Sequence, residues 1–468
     1  MGYLFRAPAA IVEERGEDWL APARPQPHAS RLGPLDLVLA ARHSLLSIWR
    51  AKDYTAGCGA SRVFGRQVIL VNSPATVKHV MVTAHENYER KSPQMRRALE
   101  HLLGDGLFIS DGDTWKHRRP LVADIVNKSR VPSFAPTMEA VAAEMVERWA
   151  RRPEGEVFDV LTEMGELTAE IIARAVFGAD LGPKAAAEVI GGFASYQQRI
   201  DSFNLGYFLG LDDGVPILRG PGLRRSIAGV HRVIEAVIED HLAGRSNAPS
   251  MIDLLVRRQQ KDPKAGLDVS ALRNEAATIF MAGHETTAAT LTWAWYLIAN
   301  APWVEEALLA EIGRVCGDRA PSLADVPALE WCRAVIEETL RLYPPVPFLA
   351  RQARGADRIR QIEVEPAALV IVSPWLLHRT EGLWDRPHHF LPERFMGDAQ
   401  PQPYTYIPFS VGPRICAGIN FGVTEAILCL ASIAQRFRIR PVPGRKVEPV
   451  CRLSLRPLGG LPATAERR

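Results

Sequence analysis

The chain has 468 residues, 47% of them apolar, and 56 basic side chains against 53 acidic ones, a net charge of +3. That apolar share is enough for a large buried core, and so even a charge balance excludes the concentrated basic face of a nucleic-acid binder. The six cysteines, Cys58, Cys316, Cys332, Cys416, Cys429 and Cys451, contain no C-x-x-C pair. The lack of such a pair argues against a zinc ribbon, and six cysteines in 468 residues are sparse for a disulfide scaffold, which points to a reducing, cytoplasmic setting.

Residues 1–34 read as an irregular, Pro-rich leader, and residues 35–468 as one domain, because no repeat or low-complexity linker divides them. No apolar run approaches the ~20 residues of a membrane span, so no transmembrane anchor is expected. Residues 35–49 predict an amphipathic helix. Residues 62–72 predict a hairpin with its turn at Gly65 and Arg66. Helical patterns dominate residues 76–244, broken by an aromatic, Gly-containing loop over residues 193–218. Met95, Leu102, Leu103 and Phe108 precede Trp115-Lys-His-Arg-Arg119 on a short helix. An indole N–H and a guanidinium about one turn apart suit the edge of an anionic ligand.

Residues 270–301 form one long helical pattern closed by Pro302, spanning roughly 48 Å at ~1.5 Å per residue. Its interior reads Ala282-Gly-His-Glu-Thr-Thr287. A threonine hydroxyl in a helix bonds back to the i−4 carbonyl, and Gly283 removes bulk where a small ligand sits. Glu285 and Thr286 then place an acid and an alcohol beside the opening. The same residues also suit a plain Gly/Thr kink packed on a neighbouring helix. His284 has no second His or Cys at helical spacing and reads as a non-ligand.

Glu338 and Arg341 share a helix face at i and i+3, followed by Leu342-Tyr-Pro-Pro-Val-Pro347. Residues 359–373 carry β-branched residues in partial alternation and predict short strands, as does the Pro-rich end over residues 438–461. Between them lie Pro392-Glu-Arg-Phe395 and then Phe409-Ser-Val-Gly-Pro-Arg-Ile-Cys-Ala-Gly418. Cys416 is thus set between Gly412 and Gly418, two residues after Arg414, before an apolar helix. The glycines let backbone approach a flat ligand, and a helix N-terminus favours a thiolate.

A lone cysteine is usually a small buried hydrophobe. Here Phe409, Gly412, Arg414, Cys416 and Gly418, continued by Phe421 and Glu425, resemble the cysteine loop of the haem-thiolate monooxygenases, the cytochrome P-450 family. The upstream motifs stand in that family's order, and the resemblance covers roughly residues 35–460. It implies a mostly α fold with a minor β part and a long central helix crossing a haem b (iron protoporphyrin IX). Cys416 is then the metal ligand, and Trp115, Arg119, Arg351 and Arg414 face the haem propionates. Phe409, Gly412 and Gly418 shape the loop beside the cofactor. Thr286 and Glu285 hold water and feed protons, and Glu338, Arg341 and Arg394 form a buried charge triad that locks the loop.

The implied reaction inserts one oxygen atom of O2 into a hydrophobic organic substrate, by hydroxylation or epoxidation. Phe108, Met281, Ala282, Val346, Phe348 and Leu349, with Met95, Leu102, Leu103 and Phe280, are the pocket candidates. Their apolar character suggests a terpenoid, steroid-like or fatty molecule. Electrons come from NAD(P)H through a separate ferredoxin or flavodoxin-type donor, with Lys116 and Arg118 as docking charges. The chain is expected to be a soluble, bacterial-type monomer. The rival readings are a haem-thiolate peroxygenase or isomerase, against which Glu285 and Thr286 count, and a non-catalytic haem sensor.

Overall fold

Asp268 starts the longest element by accepting the backbone N–H of Ala271 at 2.8 Å, and the helix runs Val269–Ala299 until Ala301 and Pro302 open the next one. Most of its side chains are buried around the full circumference, as expected of a helix inside a large core. It packs on the helices Val160–Phe177, Pro93–Leu103, Glu330–Leu342 and Ile419–Arg436. The chain is described by a computed structural model over residues 10, 11, 13–63, 65–178, 182–199, 221–246, 249–262, 265–397 and 400–468.

The β part flanks this helical body. Its five-stranded sheet has the order Cys58–Val63, Arg66–Val71, Leu369–Val372, Leu349–Gln352, Arg90–Lys91. Leu369–Val372 runs parallel to Arg66–Val71, and the other pairs are antiparallel. The register sets Lys91 directly opposite Arg351. Like charges facing across a ladder are destabilising unless an anion lies between them. A second sheet joins Phe437–Pro441, Pro462–Arg467 and Phe158–Asp159, and a hairpin pairs Pro449–Cys451 with Leu455–Pro457.

The mostly α architecture with a minor β part and a long central helix is the one expected. Several local expectations are corrected. The leader is not irregular throughout: short strands pair within residues 10–25, and Leu20, Ala21 and Ala23 are buried. Ala23 is held by Tyr296 and Tyr343, whose hydroxyls meet its N–H and C=O at 3.2 and 2.6 Å. The helix over residues 35–49 stops at His43, because Ser44 turns extended and bonds Leu46 and Cys451 through its hydroxyl. The hairpin turn falls one residue earlier than expected, since Val63 pairs with Arg66. Residues 193–199 are helical, in Pro183–Arg199, and residues 200–218 of the expected loop lie outside the described residues. Leu102, Leu103 and Phe280 belong to the core and not to the pocket.

Candidate active site

The cysteine loop takes its shape from two residues with left-handed backbone, Ser410 (φ 66°) and Gly412 (φ 78°). A Cβ at Gly412 would fall 2.1 Å from the carbonyl oxygen of Met81, so only glycine seats the loop on that segment. The N–H of Cys416 donates to Phe409 O at 2.9 Å and closes the loop. The expectation that both glycines bring backbone to a flat ligand is corrected for Gly412, which serves the Met81 contact. Gly418 does line the cavity, and a Cβ there would meet nothing within 4 Å.

Cys416 is exposed to a cavity of about 310 Å³ while heavy atoms surround it on its other sides. Burial pushes its thiol up, and the Gly418 N–H, Arg119 and Lys91 pull it back toward the thiolate. Met281, Ala282, Gly283, Glu285 and Thr286 of the central helix line the cavity, as do the apolar side chains of Phe108, Val346, Phe348 and Leu349. Met95 and Phe409 join them. Ala282 is exposed there, although most of its helix is buried.

One edge of this apolar space is cationic. Lys91, Arg119, Arg351 and Arg414 all line it, together with Trp115. Arg414 donates to Ser110 O at 2.8 Å and lies 4.5 Å over the Trp115 ring, while its Nε has no partner. Burial, followed by the Arg414 charge, pulls Arg351 down to about 9. Burial likewise holds Lys91 well below its ordinary range, with Arg351 and Arg414 adding to the effect. Among the described residues no carboxylate forms an ion pair with Lys91, Arg351 or Arg414. Buried cations without counter-ions call for an anionic ligand. The donor set therefore fits a haem: a thiol facing the cavity, apolar walls, and cations that would meet the charge of two propionates. Lys91 was missed in the sequence, because only the strand register places it opposite Arg351.

Thr286 bonds back to Ala282 O at 2.7 Å, and Thr290 to Thr286 O at 2.8 Å, the side-chain bonding expected of this helix. The hydroxyl of Ser454, on the turn after Pro449–Cys451, donates to Glu285. Gly283 lines the cavity and also packs closely on its other side: a Cβ there would sit 2.8 Å from Ile172 on the helix Val160–Phe177. His284 is buried against Phe280, and burial lowers it to about 4. No cluster of metal-ligating side chains surrounds it among the described residues.

Glu338 and Arg341 pair through two bonds of 2.6 and 2.7 Å, both side chains fully buried. Arg341 also donates to the carbonyls of His378, Pro387 and His389, and Glu338 accepts the Leu391 N–H at 2.9 Å. Arg394 stands 3.5 Å from Glu338 and its Nε makes no hydrogen bond, so it is the loosest of the three. None of the three lines the cavity. Glu425, on the C-terminal helix, is fully buried with no partner for either oxygen, and burial pushes it far up. The docking role expected of Arg118 is corrected: it is buried and paired with Asp105 and Glu275. Lys116 is exposed, 3.9 Å from Glu86.

Residues 52–461 match the family model described as Cytochrome P-450. Among curated proteins, the cyclooctatin synthase of Streptomyces melanosporofaciens is 34% identical over 430 residues, 89% of this chain and 91% of that protein. The cyclooctat-9-en-7-ol 5-monooxygenase of the same organism is 27% identical over 73% of this chain and 74% of that protein. Among solved structures, a retinoic-acid-bound cyanobacterial protein superposes with a TM-score of 0.76 at 21% identity, covering 88% of this chain and 92% of its own. A cytochrome P-450 haem domain gives the same score at 22% identity, over 95% and 96%. These two likenesses speak for the fold alone.

Proposed function

From the premise that this chain belongs to the cytochrome P-450 family and is a haem-dependent monooxygenase of bacterial type, we propose that it oxygenates a compact, hydrophobic, alicyclic or terpenoid-like molecule. The observation that carries this reading is one apolar cavity that brings Cys416, the Glu285–Thr286 pair and a cationic edge together. Its walls offer dispersion and shape and few polar anchors, which suits a substrate with little polar surface. The relatives point the same way: one is named for oxygenating cyclooctat-9-en-7-ol, an unsaturated alcohol.

Bound haem supplies the oxygen chemistry, and the chain supplies position, dryness and protons. Cys416 is the residue to hold the iron, with Arg119 and the Gly418 N–H favouring its thiolate. Lys91, Arg351, Arg414, Arg119 and Trp115 would hold the propionates, and Phe409 and Gly418 the face beside the loop. Thr286 keeps its hydroxyl on the cavity side of its helix, and Glu285, hydrogen-bonded by Ser454, is the proton source next to it. The triad Glu338, Arg341 and Arg394 keeps the loop in place from outside the cavity.

The acid–alcohol pair favours a reductant-driven cycle over a peroxygenase, isomerase or sensor role. Electrons are then drawn from NAD(P)H through a separate ferredoxin or flavodoxin-type protein, with Lys116 as one exposed docking charge. No helix among the described residues is long and apolar enough to cross a membrane, and the six cysteines are free, which suits a reducing cytoplasm.

The test is the carbon monoxide difference spectrum of the reduced protein, followed by a spin-shift screen of terpenoid alcohols, steroids and fatty acids. A strongly red-shifted band and spin shifts confined to compact alicyclic compounds are expected. A band on the blue side would remove Cys416 as ligand, and spin shifts only with long-chain acids would overturn the substrate class.

A further inference from the structure

Glu275 is a fully buried carboxylate to which the chemistry above gives no task. It stands on the central helix about three turns before Glu285 and Thr286. Its two oxygens lie 3.0 and 3.1 Å from the backbone N–H of Leu107, and one lies 3.3 Å from Arg118. Arg118 in turn meets both carboxylate oxygens of Asp105, at 2.7 and 2.9 Å, and Asn274 donates to Asp105 at 2.9 Å.

Two glycines in the same stretch leave no room for side chains. Gly104 has φ +56°, and a Cβ there would fall 2.1 Å from the Asn274 amide nitrogen. At Gly106 it would fall 2.1 Å from the Thr278 hydroxyl and 2.8 Å from Asn274 O. The segment 104–107 is therefore pressed onto the central helix, with the Leu107 N–H fastened to Glu275. Leu107 and Phe108 come next, and both line the cavity.

We propose that Glu275 is a positioning residue that fixes the Leu107–Phe108 wall, and through it determines which ligand shapes the cavity admits. This deepens the substrate reading above and rests on it. The carboxylate suits this work because it can accept the backbone N–H and face a buried guanidinium at once. Its removal would leave a buried N–H without an acceptor, a cost that shifting the wall relieves. Arg118 keeps Asp105 in any case, so the effect of Glu275 is expected in the wall and not in the helix that carries Trp115 and Arg119.

The test uses holoenzyme of wild type, Glu275→Gln and Glu275→Ala, with imidazole and 4-phenylimidazole as iron-binding probes read by their Soret shifts. Imidazole is too small to need the wall, and 4-phenylimidazole is large enough to meet it. The expected result in Glu275→Ala is an unchanged carbon monoxide band and an imidazole affinity within about twofold, while 4-phenylimidazole changes by about tenfold. Amide hydrogen exchange over residues 104–110 should rise in the same variant and rise less in Glu275→Gln, whose side-chain oxygen still accepts from Leu107. An unchanged ratio of the two affinities, or an equal loss for both probes, overturns the proposal. Should Glu275→Ala load no haem, Glu275→Met, which keeps the volume and also removes the acceptor of the Leu107 N–H, decides by the same criteria. A wild-type holoenzyme lacking the thiolate band would count against Cys416 and not against Glu275.

Discussion

The imidazole of His378 joins Arg341 to the chain leading into the cysteine loop. Its Nε2 accepts the N–H of Ile407 at 2.9 Å, so its Nδ1 carries the hydrogen shared with Arg341 O at 3.2 Å. Arg341 returns a bond to His378 O at 2.8 Å. Ile407 is two residues from Phe409, whose carbonyl holds the Cys416 N–H. The charge pair thus reaches the thiol through one neutral imidazole of fixed tautomer.

Replacing His378 with Phe keeps a ring of similar size and deletes both bonds. The Ile407 N–H is left buried without an acceptor, which costs about 1–3 kcal/mol. The expected outcome is folded protein with faster haem release and a partial loss of the red-shifted carbon monoxide band. Haem release at the wild-type rate would show that the loop holds itself.

Within the triad the members are unequal. Glu338→Ala strands the fully buried Arg341 and should cost roughly 3–5 kcal/mol, with little haem incorporated. Arg394, at 3.5 Å and without a hydrogen bond from Nε, should be milder: Arg394→Met is expected to keep most of its haem. Haem-to-protein ratios measured by pyridine haemochrome give the order, and equal losses in both variants would contradict it.

The cationic edge gives a prediction of opposite signs. Lys91 and Arg351 face each other across the sheet, and after burial the Arg351 charge helps to hold Lys91 below its ordinary range. Without an anion they repel, so Arg351→Met should raise the unfolding midpoint of haem-free protein. With haem bound they have partners, so the same variant should weaken haem retention. A change of the same sign in both states would mean that Arg351 does not face the propionates.

Ser454 holds the Glu285 carboxyl from a turn far along the chain. Ser454→Ala removes that donor without changing the cavity wall much. The expected result is slower turnover with a larger share of reducing equivalents recovered as hydrogen peroxide, in the same direction as Glu285→Gln. Unchanged coupling in Ser454→Ala alone would place the proton path elsewhere.

How far these features could be read in the sequence depends on whether they are local. The cysteine loop, the Glu285–Thr286 pair and the Glu338–Arg341 pair each lie within one turn or one helix, and spacing reveals them. Lys91 and Ser454 could not be read, because a strand register and a distant turn bring them in. Arg118 was misread because nothing in Trp115-Lys-His-Arg-Arg119 shows which cation turns inward to Asp105 and Glu275. Gly412 was right in kind and wrong in reason, since the atom that excludes a Cβ belongs to Met81, while Gly283 lines the cavity and also leaves room for Ile172.

Two buried histidines, His284 and His378, and the half-buried His388 lie away from carboxylates, and this sets a pH dependence. Burial takes His284 from 6.5 down to about 4 and His388 down to about 3, and holds His378 well below its ordinary range. Below 6.5 the unfolded chain binds protons at these rings and the folded chain does not. Their contribution to stability is therefore complete above 6.5 and is lost progressively as pH falls toward the folded values. Glu275, raised to about 7 by burial, shifts the other way in the same window, so the wild-type curve alone mixes the two. The difference between wild type and His284→Gln isolates one ring. That difference should be constant above pH 7 and fall by roughly 3 kcal/mol between pH 6.5 and 4. Denaturant midpoints at half-unit pH steps measure it, and a difference that stays flat through that window would mean that His284 titrates normally in the folded protein.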